Sequence, residues 1–226
     1  MPPDIQFMSL RETKKQQVRA QILRVCGRLF RSRGFDATTV NEIVRKAGIS
    51  RQTFFNYFSG KQAVLTELGL EWLREQGEVP RLGARVARTR QSGVLAGMRE
   101  ATRQQLLAIQ GDREFMRLVF TRSGLFFPQG DHVGQPADKR RLDQTRSIFE
   151  AVGEVMRAAQ ATGEIRSDVD PLQAAEIYVS VMVSTTRLWL TNYWGQGEEL
   201  ETRALRAIDI VLGGLKPPDG TPTPAT

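Results

Sequence analysis

Hydrophobic positions recur at helical spacing along most of the chain, and no stretch alternates with the period of two that a half-buried strand requires. From Glu12, the residues Val18, Ile22, Val25, Cys26, Leu29 and Phe30 make one 3.6-residue stripe. That stripe predicts a long helix ending at Arg33-Gly34, with Phe35 folding back onto the core. Val40, Ile43, Val44 and Ala47 fall at i, i+3, i+4 and i+7 and predict a short second helix. Thr39 can cap it, and Gly48 stops it by tolerating positive φ. Ile49 is placed to plug into the core from inside the turn. Ser50 caps a third helix on which Phe54 and Phe58 point inward, and Ser59 caps a fourth starting near Lys61. Val64, Leu65, Leu68 and Trp72 carry that helix to about residue 77, after which Gly77, Pro80 and Gly83 break the pattern.

The rest of the chain predicts helices at about 93–110, 112–122, 137–161, 171–193 and 198–215. A glycine- and proline-punctuated loop at 124–134 separates the second of these from the third. Pro171 suits the first turn of its helix. The last two helices are apolar nearly all round, so one side faces its own domain and the other is expected to meet a second copy. The fold class is therefore all-α. An N-terminal three-helix domain with a helix-turn-helix occupies 1–62, a helical bundle 63–216 and a disordered proline-rich tail 217–226.

The second and third helices, joined by a glycine turn, have the form that a helix-turn-helix reading of DNA requires. With Phe54 and Phe58 committed inward, Arg51, Gln52, Phe55 and Asn56 remain on the outer side. Arg matches the acceptors of guanine, Gln or Asn matches adenine, and an aromatic edge can touch a thymine methyl. Thr39, Thr53, Tyr57 and Lys61 place hydroxyls and an ammonium near helix starts, where phosphate oxygens would lie. Lys14 and Lys15, at the free end of the first helix, either reach the DNA backbone or are simply solvated. Charge supports the DNA reading. Residues 11–74 hold 13 Lys/Arg against 5 Asp/Glu, an excess of +8 that leaves −1 for the rest of a chain whose net charge is +7.

The stretch Thr38-Thr39-Val40, Ala47-Gly48-Ile49-Ser50, Thr53-Phe54-Phe55-Asn56-Tyr57-Phe58 and Lys61 resembles the tetracycline-repressor (TetR) family of bacterial transcriptional regulators. It departs from the family pattern at Phe55, where tyrosine is usual, and at Gly60, where an acidic or amide residue is usual. The resemblance covers about the first quarter of the chain. It implies a homodimer, joined through the last two helices, that binds a palindromic operator and is most often a repressor. It also implies that the helix from Lys61 links reader to sensor, and that a small apolar or amphipathic effector binds between the C-terminal helices. Met98, Thr102, Phe115, Met116, Phe120, Phe126, Phe127, Phe149, Met156, Tyr178, Met182 and Trp189 are the candidates to line that pocket, although each by itself reads more readily as core. Arg99, Arg103 or Arg187 could meet an acidic effector group or form surface ion pairs.

Other chemistry is excluded largely by counting. His132 is the only histidine and Cys26 the only cysteine, which removes His-cluster metal sites and intrachain disulfides. No phosphate-binding glycine loop and no paired carboxylates are present. No cofactor or metal is expected. The N-terminus lacks a signal-peptide pattern and no apolar run approaches a membrane span, so a cytoplasmic protein is expected. Two alternatives stay open: a DNA-binding dimer without a small-molecule effector, and an all-helical enzyme.

Overall fold

The computed structural model describes residues 10–75, 93–125, 139–193, 195 and 197–216. The expected break at Gly77, Pro80 and Gly83, the loop residues Phe126, Phe127 and His132, and both terminal segments lie outside the described residues. Among those described, all regular structure is helical: α1 (Leu10–Arg33), α2 (Val40–Ala47), α3 (Arg51–Tyr57), α4 (Lys61–Glu75), α5 (Val94–Gly111), α6 (Arg113–Arg122), α7 (Lys139–Ala161), α8 (Pro171–Leu190) and α9 (Leu200–Gly214). The chain forms two compact units, Met1–Leu70 and Glu71–Thr226. The division falls inside α4, because Val64 and Leu65 on its first turns are fully buried with the N-terminal helices.

In the first unit α1 supplies the floor. Ile22, Cys26, Leu29 and Phe30 are at most 2% exposed, and Leu23, outside the expected stripe, is buried too. Burial pushes the Cys26 thiol up to about 12, so it behaves as a small apolar side chain. Phe35 does fold back, packing against Phe30 with ring centroids 5.1 Å apart and the ring planes tilted by 59°. The Thr39 hydroxyl accepts the Glu42 N–H at 3.2 Å and opens α2. Gly48 closes it in the left-handed region at φ 61°, with its N–H on the Arg45 carbonyl and the Ile49 N–H on that of Val44. From α1, the Gln21 amide donates to the Ala47 carbonyl at 2.7 Å and satisfies that end as well. Ser50 accepts the Thr53 N–H and starts α3, on which Phe54 is fully buried. Such a ring contributes roughly 1.5–3 kcal/mol by burial. At α4 the residue before the first helical one is Gly60, whose carbonyl accepts the Val64 N–H, so the cap falls one position after Ser59.

In the second unit α8 is central, packing against α6, α7 and α9, while α5 packs on α6, α7 and α9. The turn between α7 and α8 is heavily tied. Gln160 donates to the Arg166 and Val169 carbonyls, Ile165 is buried, and the Arg166 N–H reaches the Leu215 carbonyl past the end of α9. Asp170 caps α8 through the Gln173 N–H at 2.8 Å, with Pro171 in the first turn as its fixed φ favours. α8 stops at Leu190, three residues earlier than the periodicity predicts, because Asn192 turns left-handed at φ 55°. Among the described residues no helix is long and apolar enough to cross a membrane.

Candidate nucleic-acid interface and buried cavity

The capped turn fixes how α3 presents its side chains. Phe54 and Phe58 face the core, and Arg51, Gln52, Phe55 and Asn56 are exposed, Phe55 at 43% although it is a large apolar ring. These outward groups hold one another. The Arg51 guanidinium donates to Asn41 Oδ1 at 2.8 Å and lies 5.6 Å from the Phe55 ring centroid, and Gln52 donates to Asn56 Oδ1 at 3.1 Å. Hydrogen bonds between exposed groups contribute little net energy, so base edges can replace them at small cost. Asn41 is the residue that the sequence reading missed. Its only signal is an outward position on α2 ten residues before Arg51.

Thr39 is exposed at the start of α2, and its hydroxyl proton is not needed for the cap it makes. The Thr53 hydroxyl pairs with that of Ser50 at 2.8 Å. Thr53, Asn56 and Tyr57 line one open groove with Arg11, Lys14 and Lys15 from the start of α1. Three cations therefore face the same surface as the candidate phosphate contacts. Lys61 is placed differently from the expectation. Its ammonium donates to the carbonyls of Phe35 at 2.7 Å, Asp36 at 3.2 Å and Thr38 at 3.0 Å, and sits 4.5 Å from the Phe35 ring centroid. An ammonium has three donors, and all are committed to the loop between α1 and α2. Lys61 is a staple for that loop, and no donor is left over for a phosphate.

The second unit holds a partly open cavity of ≈ 100 Å³. Met98, Thr102, Gln105 and Ile109 line it from α5, Phe120 from α6, Ile148 and Val152 from α7, and Leu73 from the last turn of α4. Tyr178, Val179, Met182, Val183 and Thr186 complete it from α8. Thr102 and Tyr178 bridge α5 and α8: the Thr102 hydroxyl donates to the Met98 carbonyl at 2.9 Å, and the Tyr178 hydroxyl is hydrogen-bonded to Thr102.

Met98, Thr102, Phe120, Tyr178 and Met182 thus come together as the sequence suggested. Phe115, Met116 and Met156 do not line the cavity, being at most 2% exposed within the core. Met156 continues the Ile148–Val152 stripe one turn beyond the cavity. Phe149 is half-buried on α7 off the lining. Trp189, on the final turn of α8, donates to the Glu198 carbonyl at 2.8 Å and carries the Arg113 guanidinium over its ring at 4.2 Å. Phe126 and Phe127 lie outside the described residues. Gln105 and Thr186 were missed, because a polar residue on a helix reads as surface unless its face is known.

A capped α2, a left-handed glycine turn and an exposed polar face on α3, set in a basic unit, define a helix-turn-helix DNA-binding protein. Residues 22–68 match the profile of the bacterial regulatory proteins of the tetR family. The chain is 25% identical over 218 residues to the HTH-type transcriptional repressor BepR of Brucella suis, an alignment covering 94% of this chain and 100% of that one. It is 24% identical over 211 residues to the uncharacterized HTH-type transcriptional regulator YdgC of Bacillus subtilis, covering 91% and 96%. The fold is shared with Thermus thermophilus FadR, a TetR family transcriptional repressor solved in complex with lauroyl-CoA. There the TM-score is 0.69 at 23% identity, with 92% of this chain and 100% of that one covered. Residues 22–68 thus match the DNA-binding domain of the tetR family, and the chain shares its fold with a TetR-family repressor.

Proposed function

We propose that the protein is a ligand-responsive transcriptional repressor that binds a palindromic operator as a homodimer. A small effector in the C-terminal unit releases it. The observation that carries the reading is the exposed Arg51, Gln52, Phe55 and Asn56 row on a helix capped at Ser50, beside a basic groove. α3 enters the major groove, where Arg51 and Gln52 read base edges, Asn56 supports Gln52 and Phe55 meets a thymine methyl. Thr39, Thr53 and Tyr57, with Arg11, Lys14 and Lys15, take phosphates. Lys61 is withdrawn from that set, because its donors are occupied.

The homodimer forms through α8 and α9. Leu172 and Ile177 on α8 and Ile210 on α9 are 43%, 47% and 72% exposed, an apolar surface that a second copy would cover. Two-fold symmetry then sets the half-sites roughly 34–36 Å apart or a multiple of that. The effector acts by favouring one of two states, which requires different affinity for each. Leu73, a cavity residue on the same helix that begins at Lys61, is the covalent route between ligand and reader. The protein works in the cytoplasm and has no catalytic role.

Arg51→Ala tests the assignment. Its affinity for the operator is expected to fall by about 1–3 kcal/mol while binding to random duplex is nearly unchanged. Equal losses on both DNAs would remove Arg51 from base reading.

A further inference from the structure

We infer that the C-terminal cavity takes an uncharged, single-ring ligand bearing a hydroxyl or amide, and not an acyl-CoA or another anionic amphiphile. The inference rests on the proposed ligand response and names the ligand class for it. Size comes first. At ≈ 100 Å³ the cavity is nearer the ~150 Å³ that holds one benzene than the ~300–1,000 Å³ that drug-sized ligands fill.

Charge comes second. Among the described lining residues none is Lys, Arg, His, Asp or Glu. The arginines of α5 are held elsewhere, Arg99 by Asp209 and Arg103 by Glu100 and Glu201. A carboxylate or phosphate moved into this lining would lose its hydration with no counter-charge in return.

The polar groups that remain specify the ligand. Neither the Gln105 amide nor the Thr186 hydroxyl hydrogen-bonds to a described residue, although Thr186 is only 1% exposed. Among the described residues no side-chain nitrogen or oxygen is sealed off without a partner, so the hydroxyl of the almost wholly buried Thr186 opens onto the cavity, which half-buried Gln105 also lines. Thr102 and Tyr178, by contrast, are already satisfied by each other and by the Met98 carbonyl. Gln105 and Thr186 together offer donors and acceptors across an otherwise apolar space. A ligand hydroxyl or amide pairs with both, and a plain hydrocarbon leaves them unpaired.

Isothermal titration of the full-length protein with toluene, benzyl alcohol, benzoate and lauroyl-CoA tests this directly. Benzyl alcohol is expected to bind about fivefold to tenfold tighter than toluene, the ratio one good hydrogen bond supplies. Benzoate and lauroyl-CoA are expected to give no binding. The double variant Gln105→Leu, Thr186→Val should bind benzyl alcohol no tighter than toluene, and its retained toluene binding shows that the cavity is still formed. Tighter binding of benzoate or lauroyl-CoA than of benzyl alcohol overturns the inference, and so does failure of every neutral probe to bind. Repeating the titrations on the protein–DNA complex separates the two readings. Benzyl alcohol that binds without weakening DNA affinity upholds the ligand class and overturns release. Intact operator binding with no neutral ligand bound overturns the ligand class and leaves the DNA reader standing.

Discussion

Arg51 and Lys61 are both cations near a helix start, yet their surroundings give them opposite assignments. Arg51 is exposed and held by single hydrogen bonds that DNA can replace. Lys61 is turned onto three carbonyls and an aromatic ring. Lys61→Met is expected to lower stability by about 2 kcal/mol, since it strips charge-assisted hydrogen bonds from three carbonyls, two of them partly buried. The slope of log affinity against log salt should stay at the wild-type value, measured by fluorescence anisotropy on one duplex. A slope reduced by about one unit at unchanged melting temperature would return Lys61 to the phosphate contacts. Sequence could not separate the two cations, because the carbonyls that Lys61 binds lie 23 to 26 residues away in the chain. The outward face of α3 was legible, because Phe54 and Phe58 had to point inward and helical geometry left the remainder no choice. The cavity was less so. Apolar bulk at Phe115, Met116 and Met156 is the same signal whether a side chain fills the core or borders a void.

Helix ends carry the next set of consequences. Caps at Thr39, Ser50 and Asp170 are local, and all three act within three residues of themselves, which is why the sequence revealed them. The start of α5 is capped from a distance of about 70 residues. Glu164 accepts the Val94 N–H at 2.7 Å and the Leu95 N–H at 3.0 Å, placing a carboxylate at the positive end of the helix dipole. Burial pushes this carboxyl up, but the two backbone N–H bonds and the Thr162 hydroxyl outweigh it and hold the pKa below its usual 4.5.

A pKa lower in the folded state means that the unfolded chain binds more protons in that window. The stabilisation is therefore complete above the unfolded value and is lost as pH falls through the folded one. Thermal melts of wild type and Glu164→Gln should differ at pH 7 and converge in acid below pH 4.5. A difference constant with pH would refute the charged cap. Gly93 belongs to the same device. It sits at φ 90°, and an added Cβ would come 2.9 Å from Glu164 Oε2. Gly93→Ala should thus cost about 1–3 kcal/mol of stability through backbone strain and displacement of the cap. Loss below about 0.5 kcal/mol, within the range of ordinary surface substitutions, would contradict it.

For the molecule as a whole, charge and apolar surface divide the labour. The basic excess lies in the unit that holds the helix-turn-helix, and exposed Leu172, Ile177 and Ile210 lie on α8 and α9. Ile177→Glu is expected to shift the protein from dimer to monomer in sedimentation velocity, because like charges would be buried across the two-fold axis. A dimer that persists unchanged would place the interface elsewhere.

In the proposed dimer two such units read one operator together. Selection of random duplex DNA by the purified protein, at about physiological salt to suppress non-specific binding, tests it most directly. An inverted repeat is expected, with half-site centres about one helical turn, or a multiple of it, apart. Recovery of a single half-site, or of nothing above background, would contradict it.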